Sequence, residues 1–122
     1  MNYIAIAFGA VLGAFLRHTA FNLIKVESFP YHTLAVNIIG CFFIGIFAEY
    51  CIIKGNVPLS VRLFFITGFL GSFTTFSSFA LDTGFLTDKG EFLKAFVYIS
   101  SSVFLGLASY FAAIYFMRSL IR

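Results

Sequence analysis

Only a few residues in this chain could do chemistry, and nearly all of them lie inside long apolar stretches. Arg17, Asn37, Glu49, Asp82, Ser102 and Tyr110 interrupt such stretches, and residues 72–78 bring five hydroxyl side chains together in Gly71-Ser72-Phe73-Thr74-Thr75-Phe76-Ser77-Ser78-Phe79. No nucleophile–base pair, phosphate loop or cluster of metal ligands is present, which argues against an enzyme. His18 and His32 have no second ligand at metal spacing. The chemistry that remains is reversible binding. Amide and hydroxyl groups donate hydrogen bonds, and an aromatic edge carries the positive part of the ring quadrupole. Such groups suit an anion that leaves part of its water behind.

Two cations or donors fall at similar depth. Arg17 lies about six residues before the end of the first apolar block and Asn37 about five after the start of the second. The helical rise puts both about 7–9 Å inside one membrane face. That pair suits a vestibule for an anion, while snorkelling of Arg17 and an interhelical hydrogen bond from Asn37 are the plain alternatives. Ser102, Gly106 and Tyr110 share a helix face at i, i+4 and i+8, as either a polar track or a packing stripe. Glu49 is expected to be solvated near a helix end, and Asp82 to mark contact with water. Cys41 and Cys51, about 15 Å apart on one helix, cannot bond to each other and read as small packing residues.

The elements that must hold these groups are membrane helices. Of the 122 residues 61% are hydrophobic and only 11% charged, too little charge for the surface of a soluble domain. Four blocks, at about 3–23, 32–53, 60–86 and 92–117, each reach the ~20 residues a bilayer span requires. Ser28-Phe29-Pro30, Lys54-Gly55-Asn56-Val57-Pro58 and Thr87-Asp88-Lys89-Gly90 separate them. The expected chain is one four-helix transmembrane domain (1–122) with no soluble domain. Its first block lacks the basic start of a signal peptide and is expected to remain as a span. A net charge of +3 without a basic run excludes a nucleic-acid footprint.

Two features bear on architecture. The third block places glycines, hydroxyls and β-branched threonines at the bilayer centre, which predicts a break in that helix. Unwound backbone there is tolerated only where it is buried in protein or lines a cavity. Lys54, Arg62, Arg118 and Arg122 lie on one side of the membrane, and Arg17, Lys25, Lys89 and Lys94 on the other. With four against four, the Lys/Arg rule favours neither orientation. Inserted both ways, the chain could pair as a two-fold homodimer. Gly9 and Gly13, with Gly40 and Gly45, allow close helix approach either between subunits or within one.

These residues carry a family resemblance. Gly9-Ala10-Val11-Leu12-Gly13-Ala14-Phe15-Leu16-Arg17 resembles the GxxxGAxxR opening of the CrcB/Fluc fluoride channels. Thr33-Leu34-Ala35-Val36-Asn37-Ile38-Ile39-Gly40 resembles their TLxxNxxG segment, and residues 67–79 their TGFxGGxTTFSTF signature. The resemblance implies an all-α integral membrane protein: four transmembrane helices with a break in the third, assembled as an antiparallel dual-topology homodimer. It implies a channel in the bacterial cell inner membrane that exports cytoplasmic fluoride passively. Arg17 would sit in the vestibule and Asn37 would line the pore. Phe76 and Phe79 would contact fluoride, one from each subunit per pore. Ser77, Ser78, Ser102 and Tyr110 would form a polar track, and carbonyls of Gly71 and Thr74 from both subunits would hold a structural Na⁺. The chain departs from the pattern at Ser72 (a glycine), His32 (often glycine), Asp82 (a glutamate) and Gly106 (commonly a hydroxyl residue). A small multidrug transporter would share the size but needs an acid in the first helix, where the only charge is Arg17. A small scaffold without transport would leave the third block unexplained.

Overall fold

The computed structural model describes residues 1–121; Arg122, one of the eight cations in the orientation count, lies outside them. Five helices build four spans: α1 (Asn2–Leu23), α2 (Tyr31–Lys54), α3 (residues 59–73), α4 (Phe76–Asp88) and α5 (Phe92–Ile121). α3 and α4 are the two halves of the third span. At 22, 24, 30 and 30 residues, all four spans are long and apolar enough to cross a membrane. No strand occurs among the described residues.

The ends of the helices follow local chemistry. Pro30 precedes α2 and Pro58 precedes α3, where a missing N–H costs nothing. α2 stops at Gly55, which adopts φ 70° and donates its N–H to the Cys51 carbonyl at 3.0 Å. Gly90 does similar work between α4 and α5 with φ 73°. A side chain at either position would strain the left-handed backbone that turns the chain.

Glycines decide which helices touch. α1 lies along α3 and α2 along α5. A side chain at Gly9 would overlap the Phe64 carbonyl, and one at Gly13 the Phe69 carbonyl. Gly68 returns the approach from α3, with Ile6 and Ala10 backbone against it. Gly45 gives α5 the same access at Tyr110 and Ala113. The small-residue pairs are therefore used inside the subunit. The α3 segment against α1 is not regular: Leu63–Leu70 is wound as a wider π-helix. Such widening interrupts a helix most often near functional sites.

One sequence expectation is corrected here. Glu49 is not solvated but only 5% exposed, and it accepts a hydrogen bond from Arg118 Nε at 2.7 Å. The two residues are far apart in sequence, yet α2–α5 packing brings the ends of these helices together, and a carboxylate taken out of water is costly unless it is paired.

Candidate functional site

The third span breaks at Thr74 and Thr75, both extended, with ψ 156° and 112°. Ser72 still belongs to a helical turn, Gly71–Phe73, so the interruption follows the glycine-containing part of the motif. Several backbone groups at the break find partners in the sequence nearby or on α2. Thr74 returns both its N–H and its hydroxyl to the Leu70 carbonyl, at 3.1 and 2.9 Å, and closes α3. Thr75 opens α4 as an N-cap, accepting the Ser78 N–H at 3.0 Å.

Asn37 joins the break to α2. Its Oδ1 accepts the Thr75 N–H at 2.8 Å while its Nδ2 donates to the Thr75 carbonyl at 3.1 Å. One amide side chain thus replaces, for one residue, both halves of the backbone ladder that the break removes. In a continuous helix the Thr75 N–H would belong to the Gly71 carbonyl. Given to Asn37, it leaves that carbonyl without its helical donor, on a residue exposed at the subunit surface. Gly40, one turn from Asn37, lets the Thr74 methyl seat against α2, since a side chain at 40 would overlap it.

A cleft of about 310 Å³ lies beside the break. Asn37, Thr75, Phe76, Phe79 and Ser102 line it, together with Cys41, which the sequence reading treated as packing. The Ser102 hydroxyl is buried with no hydrogen-bond partner, and no charged side chain contributes to the lining. The Phe76 and Phe79 rings meet at 5.5 Å with planes tilted by 42°. Phe76 is 80% exposed on the single subunit.

Behind Phe79 stands a polar network with no counterpart in the sequence reading. Its ring packs on Tyr98 at 5.3 Å. The Tyr98 hydroxyl donates to Asp82 Oδ2 at 3.0 Å, and the Thr33 hydroxyl donates to the same oxygen at 2.6 Å. Thr33 and Tyr98 are fully buried. Asp82 is thus an acceptor that fixes the ring supporting Phe79, while it stays only half-buried at a pocket it shares with Glu27, Ser28 and Lys89. Tyr98 was visible only as one more aromatic residue in an apolar run, although a buried phenol needs a partner. Thr33 stood in a recognised motif without a role.

Other expected residues lie elsewhere. Arg17 is half-buried on α1 and does not line the cleft. Tyr110 also lies off the lining, with its ring against Phe111 at 5.3 Å. Ser77 is exposed, 3.2 Å from the Thr75 hydroxyl, and Ser78 is held by its backbone N–H. Ser109 donates to the Ile38 carbonyl at 2.9 Å, which ties α5 to α2 within one turn of Asn37. A side chain at Gly106 would meet Cys41 Sγ at 3.5 Å, so the thiol fills the space facing that glycine. The site as built offers amide, hydroxyl and aromatic groups around a small uncharged groove, a lining able to replace part of an anion's hydration.

The family model for CrcB-like protein, Camphor Resistance (CrcB), matches residues 4–114. A fluoride-specific ion channel FluC of Rhizobium etli is 47% identical over 115 residues, covering 94% of this chain and 91% of that protein. One from Rhizobium johnstonii is 45% identical over 121 residues, covering 96% of each chain. A third, from Rhodopseudomonas palustris, is 38% identical over 123 residues, covering 98% of this chain and 99% of its own length.

Proposed function

The chain belongs to the CrcB family, and from that membership we propose that it is a fluoride-selective ion channel through which cytoplasmic fluoride leaves the cell passively. It is a multi-pass membrane protein and not an enzyme. The observation that carries the mechanism is the broken third span. Asn37 holds Thr75 extended, and the cleft beside that break is lined by Phe76, Phe79 and Ser102.

Fluoride is small and strongly hydrated, so a path through the bilayer must offer donors of comparable strength in sequence. Full charges at depth would hold the ion, whereas several moderate sites let it enter and leave. The Ser102 hydroxyl has no protein partner to give up, and Asn37 keeps one amide hydrogen beyond those Thr75 uses. Phe76 and Phe79 add ring edges. Arg17, outside the cleft, acts at longer range by raising the anion concentration at the entrance. Ser77, Ser78 and Tyr110 supply hydroxyls at the margins of the track.

The functional unit is an antiparallel homodimer with dual topology, and each subunit is a single transmembrane domain. A groove with one ring 80% exposed cannot carry an anion past lipid; a second subunit closes it and brings its own ring to the opposite wall. The four-to-four balance of Lys and Arg supports insertion both ways. A Na⁺ at the two-fold axis suits the oxygens of this break. The carbonyls of Gly71 and Thr74 are hard donors, and the former has lost its helical partner. Bound there, the ion would tie the two breaks together by electrostatic attraction. The location is the bacterial inner membrane.

Growth tests this reading. Expression in a bacterium lacking its own fluoride exporter should restore growth in fluoride, and the Phe76→Ile/Phe79→Ile double variant should not. Failure of the wild type to rescue, with the protein shown to be in the membrane, would refute it.

A further inference from the structure

The two membrane faces of the subunit carry equal numbers of cations but not of acids. Of the five acidic residues, Glu27, Asp88 and Glu91 lie with Arg17, Lys25, Lys89 and Lys94, and Asp82 sits deeper beside them. Among the described residues, the face formed by the N-terminus, the α2–α3 turn and the end of α5 holds one acidic side chain, Glu49, which is buried and bound to Arg118. Lys54 and Arg62 are exposed on that face, and neither makes an ion pair among the described residues. The orientation rule does not register this difference, because Asp and Glu contribute little to it.

At Arg62 a groove of about 410 Å³ runs between the end of α2 and the start of α3; Lys54 does not line it but adjoins Gly55, which does. Arg62 lines one part, and Ala48, Cys51, Ile52, Gly55 and Ile66 line the rest. Ile66 lies four residues further into the span than Arg62. The groove therefore changes from cationic at the water boundary to apolar within the bilayer, in step with the two ends of a lipid.

We propose that this groove binds an anionic phospholipid, with the headgroup phosphate on Arg62 and Lys54 and an acyl chain along Cys51 and Ile66. Basic pockets between membrane helices bind anionic headgroups, and arginine matches the planar geometry of phosphate oxygens. Among the described residues no exposed carboxylate side chain on this face competes for the two cations. The choice of a lipid over free phosphate follows from the lining, four of whose named side chains are apolar and gain nothing from an inorganic ion. The site is separate from the cleft beside Asn37; no residue lines both.

Native mass spectrometry after extraction from vesicles of equimolar phosphatidylglycerol and phosphatidylcholine tests the proposal. The wild type should retain phosphatidylglycerol in preference to phosphatidylcholine. Arg62→Gln should weaken that retention about fivefold and Lys54→Gln/Arg62→Gln further, following the usual value of one juxtamembrane cation. Lys94→Gln, on the other face, should leave it unchanged. Cys51→Phe should reduce retention without altering any charge. Circular dichroism on each variant would establish that the helices remain formed. Equal retention of both lipids by the wild type would overturn the site, as would retention unaffected by Lys54→Gln/Arg62→Gln. Competition by inorganic phosphate as effective as by the lipid would reduce it to an anion contact and overturn the acyl half. Cross-linking from Cys51 to a second copy of the chain would show that protein, not lipid, fills the groove.

Discussion

Asn37 carries two jobs that pull in different directions: it replaces backbone bonding at Thr75, and it faces the cleft. Asn37→Ala would leave the Thr75 N–H and carbonyl without partners, at a cost of about 1–3 kcal/mol for an unsatisfied buried group. Asn37→Asp would keep the acceptor for the N–H but set a carboxylate oxygen 3.1 Å from the Thr75 carbonyl, where Nδ2 now donates. We therefore expect both variants to melt at lower temperature in detergent, and Asp to abolish flux more completely because it adds charge to the groove. An Asn37→Ala protein as stable as the wild type would remove the amide from its role at the break. The rings give a second residue-level prediction. Phe→Ile keeps roughly the volume but removes the quadrupole, so each single variant should lose most fluoride flux while eluting at the wild-type size. Tyrosine at either position should be tolerated better than isoleucine. If each pore draws the two rings from different subunits, mixing Phe76→Ile with Phe79→Ile subunits puts both changes in one pore and none in the other. About half of the activity should return, and verified heterodimers that stay silent would exclude the shared pore. Residue type, helical spacing and the family resemblance together pointed to Asn37, Phe76, Phe79 and Ser102. They could not identify Tyr98 and Thr33, because what defines them is a shared acceptor, Asp82, supplied by a third helix.

At the scale of elements, the four spans and the break in the third were legible because apolar length and local composition encode them directly. The position of the break was not. Glycine and hydroxyl residues fill 67–79, but the backbone turns extended only at Thr74 and Thr75, where Asn37, 38 residues distant from Thr75, receives the released groups. The wide turns of Leu63–Leu70 have no local signature, and they form where α3 is pressed on the glycines of α1. The same distance in sequence explains the misread Glu49, whose partner Arg118 is 69 positions away. The glycine contacts make a sharp comparison. Gly13→Ala must move α1 off the Phe69 carbonyl, whereas nothing lies within 4 Å of a side chain added at Gly84. Gly13→Ala should lower the folded yield and the melting temperature by several degrees, and Gly84→Ala should change neither. Equal behaviour of the two would mean that α1 and α3 do not pack backbone to backbone.

For the whole molecule, charge placement matters more than total charge. Three lysines added to the turn at Asn56 should fix the orientation, since Lys in short loops sets topology. Such a protein should lose flux alone and regain it with a copy biased by lysines near Lys89. Full activity from the first biased protein by itself would rule out the antiparallel pair. The central claim is more direct still: the cleft beside the broken span passes fluoride and rejects chloride without a coupled ion. Purified protein in liposomes loaded with potassium fluoride or potassium chloride, with efflux started by a K⁺ ionophore and followed by ion-selective electrodes, measures it in one experiment. The account predicts rapid fluoride efflux that depends on the ionophore, and chloride efflux no faster than from protein-free liposomes. Equal efflux of both anions, or fluoride efflux driven by a proton gradient in place of the ionophore, would contradict it.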